Sequence, residues 1–124
     1  MDPSRPRPLG PFSSRTEQVS AEERLAALER MLGNRPDDPR LRFGLALEYL
    51  NAGRTEDGVR ELRIYLDQTD DEGNGWGRLA GALLDLGRGE EARQAYETGI
   101  ESALRHGHPT MADEFRELLG DITT

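Results

Sequence analysis

The sequence predicts an all-α fold in which helix–turn–helix units repeat and stack as a short solenoid. Three observations predict it. From Ser20 onward apolar residues recur at helical spacing, and no stretch alternates as a strand would. Glycine–arginine pairs, Gly53–Arg54 and Gly87–Arg88, interrupt that spacing. The pairs lie 34 residues apart, and the residues around them match at the same offset.

Each element has its own justification. Residues 1–19 hold Pro3, Pro6, Pro8 and Pro11 with arginines between them, which predicts a flexible, extended N-terminal arm. The first helix is expected from Ser20, where Ser20 and Glu23 have the spacing of a capping box. Ala21, Leu25, Leu28 and Leu32 form its apolar stripe, and Gly33 and Asn34 can end it. Asp38 as cap and Pro39 as first helical residue open a second helix, which runs to about Ala52 and stops at Gly53. Thr55 is the expected cap of a third helix ending near Gln68. The acidic, glycine-rich turn DDEGNG follows. A fourth helix is expected over Gly75–Leu86 and a fifth over Gly89–His106. After HGHP, Met111, Phe115, Leu118 and Leu119 mark a short last helix over 110–119, with a tail at 121–124.

Composition bounds the function. The chain has 124 residues, which suits one small domain, and no cysteine, so disulfides and thiolate-bound metals are excluded. The net charge is −8 and every basic residue is an arginine, a bias that reads as bacterial-like. Phosphate and anionic lipid are repelled by an acidic surface, so neither nucleic acid nor membrane is an expected partner. No apolar run approaches the ~20 residues of a membrane span, and the N-terminal stretch lacks the apolar centre of a secretory signal. A cytoplasmic location is the default expectation.

The self-match carries the fold further. A shift of 34 residues places Leu45 on Leu79, Ala46 on Ala80, Gly53 on Gly87 and Arg54 on Arg88. It also places Glu56 on Glu90, Gly58 on Ala92 and Leu62 on Tyr96. Small residues at Ala46, Ala80, Gly58 and Ala92 would let paired helices approach closely, while Leu62 and Tyr96 would fill the space beside them. The second copy reads Trp76, Leu79, Ala80, Gly87, Ala92 and Tyr96; the first has Tyr49 but Arg42 where tryptophan is usual. In period and residue pattern the chain resembles the tetratricopeptide repeat family. The alternative is a generic helical bundle with accidental spacing.

The resemblance implies a half repeat at 20–34, full repeats at 39–72 and 73–106, and a capping helix at 110–119. It also implies a non-catalytic protein–protein interaction module, of adaptor, scaffold or co-chaperone type, holding a peptide or helix in a concave groove. Carried over position by position, that groove contains Arg40, Phe43, Leu47 and Asn51, then Asn74, Gly77, Arg78, Gly81 and Asp85. Relatives that clamp a C-terminal carboxylate use Lys and Asn where this chain has Phe43, Leu47 and Arg78, so a clamp of that kind is not expected. Gly77 and Gly81 share one helix face. Either a partner approaches that bare face, or a neighbouring helix packs there.

His106, His108, Asp113 and Glu114 are close in sequence and could ligate a metal, yet His106 also suits a helix end and His108 a turn. No catalytic set or phosphate loop is recognisable, so no enzyme activity and no cofactor is expected. Self-assembly through the flanks of helices 20–33 and 110–119 is a further alternative, which would make the chain a homo-oligomer. Leu9, Phe12 and Val19 give the arm apolar anchors, and the segment around Leu9–Phe12 is expected either to dock on the body or to stay free.

Overall fold

The structure, a computed structural model, describes the backbone of residues 10–122 and the side chains of residues 20–122. Six helices follow one another: α1 Gly10–Asn34, α2 Pro39–Asn51, α3 Thr55–Gln68, α4 Asn74–Asp85, α5 Gly89–Arg105 and α6 Pro109–Asp121. No strand occurs among the described residues. Helix α2 pairs with α3, α4 with α5, and α5 with α6, while α1 packs on α2 and α3 on α4. The all-α, repeated-pair fold expected from the sequence is the one observed.

Two helix starts differ from expectation. Helix α1 begins at Gly10, ten residues before Ser20, so the Ser20–Glu23 pair lies inside a helix instead of capping one. The residues from Phe12 to Leu32 contain neither Gly nor Pro, so nothing there stops a helix from propagating, and Pro11 falls in the first turn where its missing N–H is harmless. The first nine residues, and the side chains on which docking of Leu9 and Phe12 would depend, lie outside the described ones. Thr55, expected as a cap, is the first helical residue of α3; the cap position belongs to Arg54, whose side chain donates to Asp57 at 2.8 Å. Asp38 caps α2 as expected, its carboxylate accepting from the amides of Arg40 at 3.0 Å and Leu41 at 3.4 Å, with Pro39 following.

The same turn closes three helices. Gly53, Gly87 and Gly107 have φ of 78°, 75° and 81°. Their amides donate to Leu50, Leu84 and Leu104, and the next residues, Arg54, Arg88 and His108, donate to Tyr49, Leu83 and Ala103 at 2.7–2.8 Å. This is the Schellman arrangement, which satisfies the last carbonyls of a helix and needs a left-handed residue. The glycine turn therefore reverses the chain after α2, α4 and α5.

Packing follows the residue sizes. Ala46, Ala80, Ala92 and Leu62 are fully buried, and Leu79 and Tyr96 nearly so, in a core shared by α2 to α6. A Cβ on Gly58 would collide with Leu50, which explains a glycine where the second repeat tolerates Ala92. Gly99 on α5 is equally constrained, since a Cβ there would lie 2.9 Å from Trp76 and 3.0 Å from Phe115. A second cluster of Leu25, Leu32, Leu45 and Tyr49 seals α1 onto α2. Tyr49 donates its hydroxyl to Glu29 at 2.5 Å, and the Arg54 guanidinium lies 4.6 Å from its ring centroid.

Arg42 stands where the second repeat has Trp76. Its guanidinium reaches inward to buried Glu61 at 2.5 Å and to the Pro36 carbonyl at 3.1 Å. Gln68 donates to that carbonyl at 3.0 Å, so the α1–α2 connection is tied to α3 through Pro36.

Two outcomes follow from this packing. Replacing Gly87 by Ala should cost about 1–2 kcal/mol, because an L side chain pays for the left-handed backbone; the denaturation midpoint measures it. Tyr49 should also impose an alkaline limit. Burial first, then the hydrogen bond and charge of Glu29, push its phenol up to about 12. The folded value lies above the roughly 10 of a free phenol, so this contribution is intact below pH ~10 and is lost as pH rises through about 12. Unfolding followed across that window should show the loss in the wild type and a smaller one in Tyr49→Phe.

Candidate functional site

Two adjoining hollows run along the exposed face of α4. One, of about 320 Å³, lies between α4 and the α2–α3 turn, lined by Leu50, Thr55, Gly77, Arg78, Gly81, Ala82 and Asp85. The other, of about 220 Å³, lies between α4 and α6, lined by Asn74, Gly77, Arg78, Tyr96, Met111, Glu114, Phe115 and Leu118. They share Gly77 and Arg78, which makes them one furrow crossing α4.

The positions carried over from sequence divide between the two helices. Asn74, Gly77, Arg78, Gly81 and Asp85, all on α4, line the furrow. The four positions on α2 do not line either hollow. Phe43 is half-buried and packs its ring on Tyr65, with centroids 4.8 Å apart, as a support of the core. Leu47 is half-buried, and Arg40 and Asn51 are exposed on α2. Leu50 is the α2 residue that reaches the furrow, and Met111, Glu114, Phe115 and Leu118 enter from α6. Sequence reasoning missed these five in this role. The α6 stripe was visible as an apolar pattern, but its placement beside α4 is a long-range contact that local spacing does not encode.

Gly77 and Gly81 have different reasons. A Cβ on Gly77 would lie 2.7 Å from the Phe115 ring, so this bare surface is filled by the chain's own α6. A Cβ on Gly81 would meet nothing within 4 Å, so one helical turn further the bare surface is open. Arg78 and Asp85 at its margins form no ion pair among the described residues. The furrow thus carries Arg78 and Asp85 seven residues apart on α4, with Glu114 as a second acidic residue from α6.

The histidine set is dispersed by the fold. His106 Nε2 lies 3.0 Å from Asp70 and His108 Nε2 lies 2.7 Å from Glu72. Asp113 accepts from Arg116 at 2.8 Å, and Glu114 lines the furrow. Among the described residues no three such side chains converge as metal ligands. Asp70 also accepts from Arg105 at 2.7 Å, and Arg105 foremost, with His106 adding, holds its carboxyl below the usual carboxylate range.

The two glycines provide a direct contrast. Gly81→Ala should raise stability by about 0.5–1 kcal/mol, since the site is open and alanine is the better helix former. Gly77→Ala should lower it by about 1–3 kcal/mol by displacing Phe115. Denaturant titration of the two variants distinguishes the effects by sign.

Comparison with known proteins agrees with the repeat geometry. A TPR repeat-containing protein of Pseudomonas aeruginosa is 37% identical over 83 residues, which cover 67% of this chain and 79% of that protein. The solved structure of MamA MSR-1 C2 superimposes with a TM-score of 0.61 at 19% identity, covering 86% of this chain and 70% of that one, and so shares the fold. No helix of the described residues is long and apolar enough to cross a membrane. The tetratricopeptide repeat model matches residues 18–96, spanning most of α1, the whole of α2–α4 and the first half of α5. With the glycine turns, the small-residue contacts and these matches taken together, the chain belongs to the tetratricopeptide repeat family.

Proposed function

We propose that the chain is a non-catalytic, cytoplasmic protein-binding module whose furrow across α4 holds a peptide or a helix of a partner protein. Tetratricopeptide repeats in general mediate protein–protein interaction, and the finer assignment to this surface rests on one observation. The open space over Gly81 belongs to the hollow that Leu50 and Ala82 line, and through Gly77 and Arg78 this hollow adjoins the one lined by Phe115 and Leu118. Leu118 keeps 43% of its surface exposed there, a large apolar side chain with room for a further contact. Asn74, Gly77, Arg78, Gly81 and Asp85 are the residues assigned to the partner, with Arg40 and Asn51 as solvent-facing flanks. Arg78 and Asp85 would orient a bound segment by charge.

The outer ends of the body support a discrete module over a stacking subunit. Glu22, Glu23, Glu29 and Arg30 are exposed on α1, and Asp113, Arg116 and Glu117 on α6. Charged terminal faces are what a repeat array needs to stop growing.

Selection of a random peptide library against the wild-type protein tests the assignment. Peptides so selected should bind the Gly81→Leu variant at least ~10-fold more weakly, a loss of about 1.4 kcal/mol, while the variant melts no lower than the wild type. Selected peptides indifferent to Gly81→Leu and to Leu50→Glu would place binding on another face.

A further inference from the structure

The furrow carries three charged side chains, Arg78, Asp85 and Glu114, all of them exposed. The two hollows give them an order. Asp85 borders only the hollow beside the α2–α3 turn, Glu114 borders only the hollow beside α6, and Arg78 borders both. Along the furrow the charges therefore run acid, base, acid.

The body leaves these three charges unused. Among the described residues, every other arginine from α4 to the end of α6 is held by a carboxylate: Arg88 by Glu56, Arg93 by Glu90, Arg105 by Asp70 and Arg116 by Asp113. At the edge of the α2–α3 turn, Arg54 is held by Asp57 in the same way. Arg78 forms no such pair, although each hollow it borders contains a carboxylate, and Asp85 and Glu114 form none either. Arg78 and Asp85 are seven positions apart on α4, about 10 Å along the helix, which is beyond the three or four positions at which helical side chains meet. Opposite charges on a surface rich in arginine–carboxylate pairs thus stay apart only in the furrow and remain available to a third party.

On the reading that the furrow binds a segment of another protein, we infer that this segment carries the inverse order: one acidic residue between two basic ones, beside an apolar residue that seats on Leu118. Its carboxylate meets Arg78, and its two cations meet Asp85 and Glu114. In an extended segment, at about 3.3 Å per residue, the acid and the base facing Arg78 and Asp85 stand about three positions apart. Two cations against one anion make the segment net positive, which agrees with a chain of net charge −8 and speeds its approach from a distance. Exposed pairs add little affinity one at a time. Their effect is selection, because a segment with the order acid, base, acid would set like charges against each other at all three positions.

Peptides selected from a random library, on the wild-type chain and on an Arg78→Glu, Asp85→Arg, Glu114→Arg variant, test the order. The wild type should enrich a central Asp or Glu flanked by Lys or Arg, and the variant should enrich the opposite. In a peptide selected on the wild type, replacing the central acid by Lys should weaken binding about fivefold or more, and Arg78→Glu in the protein should recover it. All three side chains are exposed, and Arg78→Gln alone, which should weaken the same peptide without recovering its Lys form, keeps the test decisive if the triple variant folds poorly. Peptides that are lost on Gly81→Leu yet show no charge order, or a Lys form not recovered by Arg78→Glu, overturn the inference and leave the furrow as the binding surface. Peptides indifferent to Gly81→Leu overturn both.

Discussion

A glycine in the left-handed conformation after α2, after α4 and again after α5 lets one helix end and the next begin within three residues. The turn leaves few conformations for the following helix, so the pairs are forced into close antiparallel contact. Close contact in turn demands small side chains where the helices meet, and Ala46, Gly58, Ala80 and Ala92 supply them. Leu62, Leu79 and Tyr96 then have a defined space to fill. The repetition in sequence is the repetition of this one constraint, since each turn imposes the same requirements on the residues around it.

What was legible in the sequence was what depends on neighbours within about 34 positions. The match of Gly53 with Gly87 and of Ala46 with Ala80 identified the pairing, and Asp38–Pro39 identified a helix start to the residue. Local signals failed where another local effect competed. Ser20 and Glu23 have the right spacing for a cap, but residues 12–19 before them contain no helix breaker and the helix passes through. Thr55 is a good cap residue, but the glycine turn assigns that position to Arg54. The candidate site was half legible. Its α4 side followed from repeat register, whereas Leu50 and the α6 wall depend on how helices lie across one another. Gly77 and Gly81 are indistinguishable as letters and differ only because Phe115 comes to rest on one of them.

Arg42 shows how far the repeat pattern can be altered. The second repeat presents Trp76 at the equivalent position; the first presents a guanidinium with 12% of its side chain exposed, paired to Glu61. Removing two charges from water is costly, and a pair so placed often contributes little net stability over apolar residues of the same volume. It is specific, however. Arg42 reaches Glu61 on α3 and the Pro36 carbonyl before α2, and so fixes the angle at which α1 meets the first repeat. Without Glu61 the Arg42 guanidinium would keep only the Pro36 carbonyl, whereas without Arg42 the Glu61 carboxylate would still have Arg60 at 3.4 Å.

Trp76 is the sole tryptophan of the chain, and it lies over Gly99, where α4, α5 and α6 come together. Its indole also borders a hollow on the far side of α4, with Arg63, Leu66, Asp67 and Leu79. The molecule therefore carries a single indole beside its three tyrosines, attached where the Trp76 Cβ packs on the helix that bears Gly99 and outside the residues that line the furrow. Its emission colour reports whether that junction is dry or wetted, with no contribution from a second indole. Excitation selective for the indole therefore follows the surroundings of this one residue in the unlabelled protein.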